Sequence, residues 1–95
     1  MNPAPDRIRI EAWYSGHVQG VGFRYSTTQV AREFEVSGTV QNLDDGRVHV
    51  VAEGSRDEVR AFLAELADQM RSYIRKGEES DPASPRGLTG FSIVR

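Results

Sequence analysis

Ile8, Ile10, Ala12 and Tyr14 alternate with Arg9, Glu11, Trp13 and Ser15, the period-two pattern of a strand buried on one face. It predicts a first strand over 7–14, with Trp13 on the face opposite the isoleucines, packed under a loop or long side chains. From Phe23 the period lengthens. Phe23, Thr27, Val30, Ala31 and Phe34 fall on one stripe, predicting a helix over 22–34 whose outer face carries Gln29, Arg32 and Glu33. The β-branched run 36–43 and the run 47–53 flank Asp44-Asp45-Gly46 and predict a hairpin with Val48, Val50 and Ala52 facing the core. Ser55 and Glu58 stand at capping-box spacing, with Ser55 as N-cap and Glu58 reaching back to it. A helix over 56–70 should follow, its stripe of Val59, Phe62, Leu63, Leu66 and Met70 serving as core. Residues 72–78 suit an edge strand whose charges guard against pairing with another chain. The prolines and glycines of 79–90 predict a mobile loop, and 91–95 a short closing strand.

The order strand, helix, strand, strand, helix, strand predicts an α+β, ferredoxin-like split βαβ sandwich (βαββαβ): two helices on one face of an antiparallel sheet, with a short extra C-terminal strand. Right-handed crossovers put the first strand and the hairpin at the sheet centre. The 95 residues suit a single domain with one modest core, behind a loose lead-in over 1–6 that holds Pro3 and Pro5.

Twelve Lys and Arg against 14 Asp and Glu give a net charge of −2. That excludes the broad basic field of a nucleic-acid binder, so anion recognition has to be local. The absence of cysteine excludes disulfides, thiolate metal sites and a cysteine nucleophile, and fits a reducing, cytoplasmic setting. His17 and His49 lie at unrelated spacing and make no metal site. No apolar run approaches membrane-spanning length, and the N-terminus has no signal-peptide pattern. With two helices covering one sheet face, no long apolar stripe remains, so a monomer is expected.

The chemistry concentrates between the first strand and the first helix, in Ser15-Gly16-His17-Val18-Gln19-Gly20-Val21-Gly22-Phe23-Arg24. Its glycines allow positive φ, so that successive N–H groups can converge on one point. The following helix adds its unpaired N–H groups and the positive end of its dipole. Arg24, in the first helical turn, presents a planar fork of donors suited to two phosphoryl oxygens. A lone arginine on a helix is usually a solvated charge, but its place just after the glycine loop favours an anion contact. Asn42 alone would be a turn residue ahead of Asp44. At the end of the strand that should neighbour the loop, its carboxamide is placed to hold a water. His17 is expected to contribute its backbone N–H to the cradle, His49 to be a solvated strand position, and Gln19 to brace the loop through its amide. Thr27 either braces the loop or fills the stripe.

Gly16-His17-Val18-Gln19-Gly20-Val21-Gly22-Phe23-Arg24, followed by Gly38-Thr39-Val40-Gln41-Asn42, Gly46-Arg47-Val48 and Gly54, resembles the two sequence motifs of the acylphosphatases. The resemblance implies an enzyme that hydrolyses the carboxyl-phosphate bond of small acyl phosphates without metal or cofactor. Carried over residue by residue, it implies a phosphate cradle formed by Ser15, Gly16, His17, Val18, Gln19, Gly20 and Val21. Arg24 would bind the phosphoryl oxygens, and Asn42 would position the attacking water. Three positions depart from the pattern. Tyr14 stands where an aliphatic residue is usual and Thr39 where an aromatic is usual. Glu35 replaces a helix-ending glycine, at a cost of about 1 kcal/mol if the site demands positive φ. A non-catalytic anion-binding or regulatory module on the same fold is the alternative. The acylphosphatase-like domain of the hydrogenase-maturation carbamoyltransferases is disfavoured by the lack of a following domain and of zinc-type cysteines. An RNA-binding sheet is disfavoured by His49 and Val51, where stacking aromatics would be needed.

Overall fold

The computed structural model describes residues 6–95; the expected lead-in, apart from Asp6, lies outside the described residues. The elements run β1 (Arg7–Gly16), α1 (Phe23–Ala31), β2 (Val36–Asn42), β3 (Val48–Ser55), α2 (Arg56–Gln69), β4 (Ile74–Glu79) and β5 (Phe91–Val94). Five strands form one sheet in the order β4-β1-β3-β2-β5, so β1 and the hairpin are central, as expected. β1 pairs antiparallel with β3 and β4, and β2 antiparallel with β3. β5 lies parallel to β2. The sheet is therefore mixed, not wholly antiparallel, because the last strand enters from the far edge in the direction of β2.

The alternation in β1 buries Ile8, Ile10, Ala12 and Tyr14 on the helix-covered face, beside Val48, Val50 and Ala52 of β3. The predicted stripes of both helices complete this core, with Val30 and Val59 nearly inaccessible and Phe34 packed edge-on to Phe62. Thr27 is fully buried and its hydroxyl donates to the Phe23 carbonyl at 2.8 Å; it fills the stripe and does not brace the loop.

α1 stops at Ala31, short of the predicted 34. Its end tightens through N–H bonds from Arg32 to Gln29 O, Glu33 to Val30 O and Phe34 to Ala31 O, each spanning three residues instead of four. That tightening brings the chain to Glu35 without a left-handed residue, since no non-glycine among the described residues has positive φ. The expected strain at Glu35 is thus absent. Its N–H donates to Glu58 Oε1 at 2.7 Å. Half of the predicted capping box is thereby redirected: Ser55 Oγ accepts the Glu58 N–H at 3.3 Å, while the Glu58 carboxylate secures the α1–β2 connection.

Between the edge strands β4 and β5, the chain has to cross the sheet face that the helices leave open. The connection spans 80–90, since Glu79, which the expected loop included, belongs to β4, and it is fastened along its length. Ser80 and Ala83 bond to the backbone of Glu11 and Arg9, and Gly38 N–H donates to Gly90 O at 2.9 Å. Midway, Glu53 is only 2% exposed. One carboxylate oxygen accepts from Arg9 Nη1 at 2.8 Å and from Arg86 N–H at 2.8 Å, and the other from Gly87 and Leu88 N–H at 3.1 and 2.9 Å. The same face carries Trp13 stacked on His49 at 5.2 Å, with His49 Nε2 2.9 Å from Glu11 Oε1. His49 is therefore a half-buried, partnered side chain and not a solvated one, while Thr39 lies between Val51 and Ser92 on neighbouring strands.

Burial alone would raise the Glu53 pKa; the N–H bonds from Arg86 and Leu88 and the Arg9 guanidinium outweigh it and hold the carboxyl below its ordinary 4.5. A depressed folded-state pKa stabilises the fold above pH 4.5, and that stabilisation is lost as pH falls through the lower folded value. Glu53→Ala should lower the unfolding free energy by about 3 kcal/mol, the scale of a broken buried ion pair, read from the urea midpoint. Glu53→Gln should flatten the acid limb of the stability curve relative to wild type; an unchanged limb would show that other carboxylates govern it.

Candidate active site

β1 and β2 both run antiparallel to β3, and β5 runs parallel to β2. The C-terminal ends of β1, β2 and β5 therefore lie along one edge of the sandwich. The glycine loop leaves β1 there, α1 begins there, and Asn42 ends β2 there. A cleft of about 330 Å³ opens at this edge, lined by Val18, Gly20, Gly22, Phe23, Arg24, Tyr25, Asn42, Ile93 and Arg95. It unites the two polar side chains that the sequence singled out, Arg24 and Asn42.

The loop is built between two anchors. At its start, Gly16 has φ 126° and passes so close to β4 that a Cβ would lie 2.6 Å from Arg75 N and 2.7 Å from Tyr73 O. No larger residue fits there. His17 donates its N–H to Tyr73 O at 2.9 Å, so this N–H fastens the loop and is not offered to an anion, contrary to expectation. Ser15 and Gly16 are paired with β4. Val18 is fully buried and roots the loop in the core beneath Gln19.

At the far anchor, Gln19 Nε2 donates to Leu43 O at 2.9 Å and to Arg47 O at 3.0 Å. The predicted brace is real, and it reaches across to the β2–β3 turn that follows Asn42. Gly22 ends the loop as the α1 N-cap, with φ 79° and no side-chain cap bond. The left-handed turn there suits glycine and leaves the first helical N–H groups facing outward. Among the described residues, the N–H groups from Val18 to Tyr25 have no protein acceptor; the next, Ser26, donates to Gly22 O at 2.9 Å. The N–H groups without an acceptor thus overlap the expected cradle Ser15–Val21 at Val18, Gln19, Gly20 and Val21 and continue into the first turn of α1.

Arg24, like Arg7, Arg32, Arg75, Arg86 and Arg95, forms no ion pair among the described residues; what sets it apart is its place in the cleft in the first turn of α1. A guanidinium beside unpaired N–H groups at a helix N-terminus is chemically suited to an anion, through fixed partial charges and one full charge. The Asn42 Oδ1 is buried without a hydrogen-bond partner among the described residues, a costly state for a structural amide and one characteristic of functional positions. Tyr14 packs under the loop against Phe23 at 5.5 Å and is 4% exposed. Burial, and then the charge of Glu79, push its phenol well above the ordinary range. It stays neutral and serves as packing, not as an acid or base.

The acylphosphatase family model matches residues 10–93. The chain belongs to the acylphosphatase family. It is 46% identical over 91 residues to an acylphosphatase of Corynebacterium efficiens, covering 92% of each chain. It is 40% identical over 89 residues to one of Pseudomonas aeruginosa, covering 94% of this chain and 98% of the relative. The crystal structure of an acylphosphatase from Bacillus subtilis superposes with a TM-score of 0.85 at 32% identity, over 93% of this chain and 99% of that one. Family membership makes the chain an enzyme, and the cleft that holds Arg24 and Asn42 is where its chemistry is to be sought.

Sequence reasoning did not foresee Tyr25, Ile93 and Arg95 in the cleft. Tyr25 follows Arg24 directly and was within reach of the helical pattern. Ile93 and Arg95 were not, because their place depends on the parallel register that sets Ile93 beside Val40 and Val94 beside Gln41.

The Gln19 tether yields a prediction separate from chemistry. Gln19→Ala should cost about 1 kcal/mol of stability, since the two carbonyls keep other partners. It should weaken binding of inorganic phosphate several-fold in an NMR titration, because the loop is freed at one end. Unaltered phosphate affinity would mean that the loop holds its shape without the tether.

Proposed function

We propose that the cleft holds the phosphoryl group of an acyl phosphate between the N–H groups of the glycine loop and the Arg24 guanidinium, while Asn42 orients the attacking water. Its oxygen attacks phosphorus in line with the carboxyl-phosphate bond; that bond breaks, and the carboxylate leaves with the bonding pair. The water proton passes to a phosphate oxygen or to solvent. The observation that carries this reading is the meeting of unpaired N–H donors, an unpaired Arg24 and a partnerless Asn42 Oδ1 in one cleft.

Phosphoryl transfer of this kind asks for positioning and for charge stabilisation on the equatorial oxygens, not for covalent catalysis. The N–H groups at the start of α1 supply fixed dipoles that need no reorganisation during the reaction. Arg24 supplies a bidentate fork. Asn42 cannot take a proton near neutral pH, but it can accept a hydrogen bond from water. The leaving carboxylate is stable as an anion, so no strong general acid is required. The one-domain organisation inferred from sequence fits this scheme, because a single cleft supplies every group it uses. We read the chain as a monomer, since no long apolar stripe is left uncovered among the described residues. The absence of cysteine supports a cytoplasmic setting, and no helix among the described residues is long and apolar enough to cross a membrane.

Hydrolysis of benzoyl phosphate tests the scheme. Arg24→Ala should lower kcat/KM by about a thousandfold or more, on the scale of losing an arginine from a phosphoryl-transfer site. Arg24→Lys should recover little of it, because an ammonium lacks the fork. Asn42→Ala should lower kcat by about a hundredfold, the lower end for loss of a single positioning dipole. The rate should show no steep protein titration near neutral pH. Turnover no faster than spontaneous hydrolysis, with wild type and Arg24→Ala alike, would reduce the cleft to an anion-binding module.

A further inference from the structure

Once the loop, Arg24 and Asn42 are assigned to the phosphoryl end, part of the cleft wall is left over. Among the described residues the exposed large apolar side chains are Tyr25, Tyr73 and Ile93, and two of them, Tyr25 and Ile93, line this cleft. Tyr25 is 66% and Ile93 45% exposed. Their surroundings in the fold explain the exposure. Tyr25 projects from the first turn of α1 beside Arg24. Ile93 pairs with the fully buried Val40 and so lies on the helix-covered face, but near the end of β5, where the cleft takes the place of a helix. Phe91, two residues earlier on the same face of β5, finds Phe62 at 5.4 Å and packs against the core. Ile93 has the same orientation without the same cover.

We propose that Tyr25 and Ile93 form the two walls of the acyl subsite and make the enzyme selective for acyl phosphates with a flat or branched apolar acyl group over the acetyl compound. This inference rests on the reading of the cleft as the phosphoryl site. A phosphoryl group bound by Arg24 directs its acyl substituent away from the loop, and the apolar lining available outside the loop consists of these two side chains above the buried Phe23. An aromatic acyl group set between a tyrosine ring and an isoleucine covers apolar surface on both that acetate is too small to reach. Arg95 also lines the cleft and offers a competing determinant, a cation that would favour acyl groups carrying a second negative charge.

The test compares benzoyl, acetyl and succinyl phosphate with wild type, Tyr25→Phe, Tyr25→Ser, Ile93→Ser, the double serine variant and Arg95→Ala. Wild type should prefer benzoyl to acetyl phosphate. The double serine variant should lose about tenfold in kcat/KM for benzoyl phosphate, on the scale of one apolar contact in a pocket. The loss should appear in KM with kcat little changed, as for binding shared by ground and transition states. Acetyl phosphate kinetics should move several-fold less than benzoyl phosphate kinetics, and Tyr25→Phe, which keeps the ring, should keep the wild-type benzoyl-to-acetyl ratio. An unchanged benzoyl-to-acetyl ratio in the double variant overturns the subsite while leaving the phosphoryl reading intact. A preference for succinyl phosphate abolished by Arg95→Ala overturns it in favour of charge selection. Hydrolysis of none of the three above the spontaneous rate overturns the phosphoryl reading itself.

Discussion

A carboxylate buried on the open face of the sheet, Glu53, holds the route by which the chain passes from one sheet edge to the other. β4 and β5 are the two outer strands, so the residues between them have to traverse the face that no helix covers. A crossing loop carries backbone N–H groups over apolar and polar side chains alike, and each donor removed from water needs an acceptor. Glu53 accepts three of them, from Arg86, Gly87 and Leu88, and Arg9 balances its charge. Burying that charge is unfavourable alone and tolerable only because the carboxylate is so fully bonded. The consequence reaches the opposite end of the sheet. With the crossing fixed, β5 enters beside β2 in parallel register, Phe91 covers the core, and Ile93 and Arg95 arrive in the cleft.

The cleft works against a net negative protein. With a charge of −2, long-range attraction cannot gather an anionic substrate, so recognition depends on groups within contact distance. Most arginines that pair with carboxylates do so at exposed sites, where such pairs contribute little to stability. Arg24 is one of the arginines that form no such pair among the described residues. Its first-turn position places it among N–H groups that the helix cannot satisfy internally, and any carboxylate nearby would compete with the ligand for both. On the proposed function, the polar groups left unsatisfied here are those that a phosphoryl group and a water would use.

What the sequence disclosed was set by range. The alternation in β1, the stripe of α2 and its Ser55 cap are decided by neighbours within a turn or a strand, and each was readable as written. The glycine loop was readable because its backbone demands leave few alternatives to glycine. Glu58 was misread for a physical reason: its spacing to Ser55 suits a capping box, but the Glu35 N–H, distant in sequence, lies nearer in space. His49 looks like a solvated strand residue until Trp13 and Glu11 are brought beside it by the β1–β3 register. Glu53 looks like the polar end of a strand, and nothing local announces that residues 86–88 will cover it. The parallel entry of β5, and with it the outer wall of the cleft, follows from that same long-range contact.

Gln19 joins the two halves of the site in a way neither motif shows by itself. The loop carries the N–H donors and leads into Arg24; β2 carries Asn42. These belong to separate elements, and a shift of either by a fraction of an ångström would spoil an in-line attack. The turn after Asn42 is closed by Leu43 N–H to Arg47 O at 2.8 Å and Gly46 N–H to Leu43 O at 3.1 Å. Gln19 donates to the same two carbonyls, Leu43 O and Arg47 O. The amide therefore grips a turn that is already rigid, and the loop inherits that rigidity. Because a carboxamide presents two N–H donors on one nitrogen, it can bind both carbonyls at once, which a serine or threonine hydroxyl cannot. The proposed phosphoryl cradle and the residue proposed to position the water are thus tied to one turn, so motion of the hairpin carries both together.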